Sequence, residues 1–149
     1  MHPFDIKAAL LAKHAQHVVL IHFPIALFII GVLFDFLGQW KKQRLLAAAA
    51  YYNLLAAAIA TIPVVVTGIL AWQFALEGQR LKGILLQHLV LGCVSTVMIW
   101  FVFWIHFRSR RNNFETLPGY RLPIEALAVA VVTLTGHLGG FLSGVNAPS

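Results

Sequence analysis

Apolar residues run almost unbroken through four stretches of the chain, 17–37, 45–70, 84–107 and 122–142, and polar or helix-breaking residues collect between them. A helix needs about 20 apolar residues, rising ~1.5 Å each, to cross a hydrocarbon core ~30 Å thick, so each stretch predicts one crossing. The pattern predicts an all-α fold: an integral membrane bundle of four transmembrane helices, forming one domain over residues 1–149. Ahead of the first span, Phe4, Ala8, Leu11 and Ala15 share a helical face, which predicts a short interfacial helix over residues 1–16. The first span is too long for the apolar region of a cleaved signal peptide and contains Asp35.

Within the spans the pattern is interrupted at a few positions. Pro24 removes a backbone donor and would clash with the carbonyl of residue 20, which predicts a kink just beyond His22. Asn53, Ala57, Thr61 and Gly68 drift along one face of the second span as a small-residue stripe, and Pro63 predicts a bend there. His88, Gly92, Ser95 and Thr96 mark a face of the third span, and Trp100, Phe101, Phe103 and Trp104 form an aromatic belt in its later half. The fourth span aligns Ala130, Thr133, His137 and Gly140.

Composition agrees with this reading: 60% of the residues are hydrophobic and 11% charged, against about 25% charged in a soluble domain. The net charge of +6 is spread over short juxtamembrane loops, where anionic lipid accounts for it, and nucleic acid is set aside as a partner. Of the 11 lysines and arginines, Lys41, Lys42, Arg44, Arg108, Arg110, Arg111 and Arg121 lie on one side, and only Lys7, Lys13, Arg80 and Lys82 on the other. Positive charge accumulates on the cytoplasmic side, so both termini are expected outside, in a bacterial inner membrane. The single cysteine, Cys93, provides no disulfide, CxxC or CxxCH motif.

The candidate chemistry lies in the histidines. His22, His88 and His137 each stand five residues inside the outer end of their span, about 7–8 Å below one surface at ~1.5 Å per residue. Two imidazoles on facing helices, beside glycines such as Gly92, Gly136, Gly139 and Gly140, suit a haem b site. Spans one and three lie diagonally in an up-down-up-down bundle, so His22 and His88 are the expected ligands, with His137 beside them or as an alternative. Arg80 and Lys82, in the adjoining loop, are placed for the haem propionates. The same three histidines could instead hold zinc or copper, relay protons or bond a quinone headgroup, or simply fasten helices together.

The other polar residues are given structural roles. Asp35 is expected near the inner surface, Glu125 at a helix start paired with Arg121, His106 at the solvated inner interface, and His2, His14 and His17 at the outer one. His17 has the further option of completing a polar mouth above His22. No nucleophile–base–acid set or phosphate loop points to a stand-alone enzyme.

The strings QHVVLIHFPIAL, TGILAW and TGHLGGFLSGV, with a histidine early in span three, resemble the small bacterial four-helix membrane proteins of domain-of-unknown-function family 2231. The likeness covers almost the whole chain, and the positions carrying it are His22, Pro24, His88, His137 and Gly140. Relatives joined to Rieske-type or c-type cytochrome modules imply a redox setting, with a quinone or an exported redox protein as partner. This chain departs from many relatives in ending soon after GHLGG without such a module, which leaves its electron partner unidentified.

Overall fold

The computed structural model describes residues 13–111 and 117–143, and every regular element among them is helical. Helix α1 runs Lys13–Leu20, α2 His22–Lys41, α3 Arg44–Leu70, α4 Gly83–Arg111 and α5 Arg121–Leu142; a π-helical turn, Ala71–Ala75, follows α3. Four stretches are long and apolar enough to cross a membrane: Gln16–Lys41, Arg44–Phe74, Gly83–Arg111 and Arg121–Leu142. Residues 1–12 of the expected interfacial helix lie outside the described residues.

The break between α1 and α2 falls at Ile21, ahead of His22 rather than beyond it. Pro24 has no N–H to give Leu20, so the lost bond lies on its N-terminal side. Ile21 keeps helical angles (φ −60°, ψ −26°), so the helical phase carries through the break. At the far end of α2, Lys42 turns left-handed (φ 52°), and the Gln43 N–H donates to the Gly38 carbonyl at 2.9 Å. This helix-ending motif permits a two-residue link into α3.

The short link holds α2 and α3 closely together. A Cβ added at Gly38 would lie 3.0 Å from the Ala47 backbone nitrogen, and one at Gly31 would lie 3.0 Å from Leu54 Cγ. Backbone cannot move aside as a side chain can. Gly38→Val is therefore expected to destabilise the protein by about 1–3 kcal/mol through overpacking. Gly92→Ala, whose Cβ would meet nothing within 4 Å, should be near neutral. Detergent-denaturation midpoints of the two variants check this difference.

Packing follows a ring in which α2 meets α3, α3 meets α4, α4 meets α5, and α5 meets α2, so α2 and α4 lie diagonally. The core between them is Phe28, Leu54, Ala57, Ala58, Ile99, Val102, Ala128 and Val132. The outer faces carry Phe23, Ile30, Leu33, Ile62, Val97, Phe101 and Leu127, all exposed and apolar. Lipid in contact with those faces needs no polar partner, and the backbone groups are satisfied within the helices.

Candidate functional site

Four charged or titratable side chains are buried at the Lys41 end of the bundle: Asp35 (2% exposed), His106 (3%), Arg121 (2%) and Glu125 (1%). Arg121 Nε donates to Asp35 Oδ2 at 2.8 Å, while its other nitrogens reach Gln39 Oε1 at 3.0 Å and the Leu117 and Pro118 carbonyls. His106 Nε2 and Glu125 Oε1 share a bond of 2.8 Å. Three helices, α2, α4 and α5, are thereby tied by two ion pairs.

This arrangement corrects two sequence expectations: Glu125 pairs with His106 rather than Arg121, and His106 is buried rather than solvated; Asp35, expected to reach water or a basic partner, meets Arg121. The cause is the length of the helices. The helix α4 continues to Arg111 and α5 begins at Arg121, so helical turns extend past Asp35, His106 and Glu125 and enclose them.

A buried charge must face its partner, so the network also sets how each helix is rotated. An α-helix repeats its direction every 18 residues, or five turns. His17 precedes Asp35 by 18 residues, and His88 precedes His106 by 18, so both histidines share the inward face of the charge below them. His22 precedes Asp35 by 13 residues, about 140° away, and His137 follows Glu125 by 12, about 120° away. Both point outward. The His22 ring is exposed and bonds its own-turn Val18 carbonyl at 2.7 Å; His137 is exposed with its ring against Phe141, centroids 5.0 Å apart. The expected inward stripe Ala130–Thr133–His137 therefore gives way to one through Arg121, Glu125, Ala128, Val132 and Thr135.

At the opposite end from the charges, the ring that meets His88 is that of His17. Their centroids lie 6.4 Å apart, with planes at 82°. His17 Nδ1 bonds the Val64 carbonyl on α3 at 3.1 Å, with Thr67 Oγ1 at 3.3 Å, and His88 Nδ1 bonds the Thr135 carbonyl on α5 at 3.1 Å. Only an N–H can bond a carbonyl in this way, so each Nδ1 carries the proton and each Nε2 has the lone pair. A Cβ at Gly68 would come 2.9 Å from His17 Cε1, and one at Gly139 would come 3.1 Å from His88 Cε1. The glycines give the rings their space.

Hydroxyls extend this anchoring toward the core. Thr135 Oγ1 donates to the Val131 carbonyl and accepts from Ser95 Oγ at 2.8 Å, and Trp100 Nε1 donates to Thr61 Oγ1 at 3.1 Å. Each interhelical bond of this kind is worth about 0.6 kcal/mol in a membrane protein. Arg80 and Lys82 are exposed in the link that enters α4.

These features define an all-helical membrane protein with an imidazole pair at one end of its bundle and buried ion pairs at the other. The family model for predicted membrane proteins, DUF2231, matches residues 13–146, and the chain belongs to that family. No curated protein and no solved structure matches the chain.

Proposed function

We propose that the chain is a haem b-binding electron-transfer subunit whose ligands are His17 and His88. The observation that supports this reading best is the imidazole pair, drawn from diagonal helices and tethered through both Nδ1 atoms. The two rings stand close together, centroids 6.4 Å apart, and His17 and His88 would be the residues to hold the haem. Carbonyl bonds to Nδ1 are the usual way of orienting histidine ligands. Gly92, one turn beyond His88, faces open space where a Cβ would point.

Haem supplies reversible one-electron chemistry when bound. The chain's own part would be to hold two imidazoles side by side through their Nδ1 tethers, exclude water with the apolar core beneath, and offer Arg80 and Lys82 to the propionates. The positive-charge bias supports an orientation with the His17 end outside a bacterial inner membrane, within reach of a quinone or an exported redox protein. A reporter fused to the C-terminus is expected to show an exported location; a cytoplasmic signal would contradict this orientation.

The tethering bonds also favour a second reading, in which His17 and His88 simply fasten α1 to α3 and α4 to α5 as part of a non-redox scaffold. Protein purified in mild detergent from haem-replete cells separates the two. The electron-transfer reading predicts about one haem per chain and a Soret band with sharpened bands on reduction. A folded, colourless preparation would leave the scaffold.

A further inference from the structure

The buried cluster at the other end of the bundle has one unmet demand. Glu125 Oε2 is enclosed and has no hydrogen-bond partner among the described residues, although its sister oxygen holds His106. A carboxylate oxygen left without a donor inside protein is costly, and it is the atom to which a cation would bind. Asp35, His106 and Glu125 each offer one ligand atom, and all three atoms lie within 4.8 Å of one another.

We propose that Asp35, His106 and Glu125 form a binding site for a divalent transition-metal ion of the zinc class. The donor chemistry selects the ion. Calcium takes six to eight oxygens, and magnesium keeps an octahedral oxygen shell, whereas one imidazole with two carboxylates suits zinc. Ligands at ~2.0–2.2 Å need pairwise separations below about 4.4 Å, so a small inward turn of the carboxylates closes the site.

Charge limits the ion further. Arg121 neutralises one of the two carboxylates, leaving one negative charge for the metal to meet. A divalent ion leaves a single positive excess, which a bound hydroxide would balance; a trivalent ion would not be tolerated there. His106 would ligate through Nε2 as the neutral imidazole, so the ion takes the place of the proton now shared with Glu125 Oε1, and the ring keeps its one proton on Nδ1. Arg121 then acts from behind, holding Asp35 while Gln39 and the Leu117 and Pro118 carbonyls hold Arg121.

The test is a titration of chelator-stripped, detergent-solubilised full-length protein with Zn²⁺, and with Co²⁺ as a visible probe. About one ion per chain should bind, with the cobalt absorption of a four- or five-coordinate site and an upward shift of the melting temperature. His106→Gln and Glu125→Gln should each weaken binding at least tenfold. His17→Ala/His88→Ala should bind zinc as the wild type does, so the result is independent of the haem reading. Folded wild-type protein that binds no zinc, undiminished binding in the first two variants, or loss of binding only in the His17/His88 variant would each overturn the proposal. Should either Gln variant fail to fold, the wild-type stoichiometry and melting shift still decide it.

Discussion

Asp35→Ala is expected to destabilise the protein by about 3–5 kcal/mol, the cost of leaving a buried arginine without its counter-charge. Arg121 is 2% exposed, and Asp35 is the carboxylate it bonds among the described residues; Glu125, one turn along α5, is held by His106 and would have to leave that bond to take over. Gln39 and two carbonyls satisfy hydrogen bonds, but they carry no charge. Replacing both members, as in Asp35→Leu/Arg121→Met, should recover most of the loss, because an apolar pair of similar volume avoids the desolvation of two ions. Denaturation in mixed micelles measures all three proteins. If Asp35→Ala proved as stable as the wild type, the ion pair would not be the buried contact described here.

The double replacement is informative for another reason. With that pair gone, α5 keeps its His106–Glu125 bond to α4, but α2 must hold its rotation by hydrophobic packing, and its amphipathicity is weak because lipid-facing and core-facing residues are equally apolar. A stable double variant that loses the approach of His17 to His88 would show that the Asp35–Arg121 pair contributes orientation more than stability.

The fold was largely legible because length and apolarity alone specify a crossing. The four apolar runs coincide with α1–α2, α3, α4 and α5 to within a few residues, apart from α4, which extends to Arg111. The candidate site was legible only in part. Counting residues from the span ends estimates depth, and it is depth that groups His22, His88 and His137. Depth says nothing about which way a helix is turned. Rotation is set by Asp35, His106, Arg121 and Glu125, which stand at the ends of the apolar runs and so look like interface residues in the sequence. The signal that could have found the pair is the 18-residue spacing, which puts His17 above Asp35 and His88 above His106. The pairing of Glu125 with His106, 19 residues apart across a loop, depends on the relative heights of α4 and α5 and has no sequence signature.

The second large effect concerns the histidines themselves, and it is all-or-none. On the proposed haem reading, His17→Ala or His88→Ala would remove one of the two histidines that hold the group and the Nδ1 tether that orients it, so either change should abolish a six-coordinate haem spectrum. His22→Ala and His137→Ala alter rings on exposed faces and should leave it intact. His106→Ala lies at the other end of the bundle and should spare the spectrum while lowering stability. Gly68→Val and Gly139→Val should mimic the ligand changes in weaker form, since a Cβ at these positions comes within 2.9–3.1 Å of the ring carbons. The most direct measurement is therefore the dithionite-reduced minus oxidised spectrum of the wild type beside the four single histidine variants at 17, 22, 88 and 137. The account predicts loss at 17 and 88 and retention at 22 and 137; retention in His17→Ala with loss in His22→Ala would contradict it.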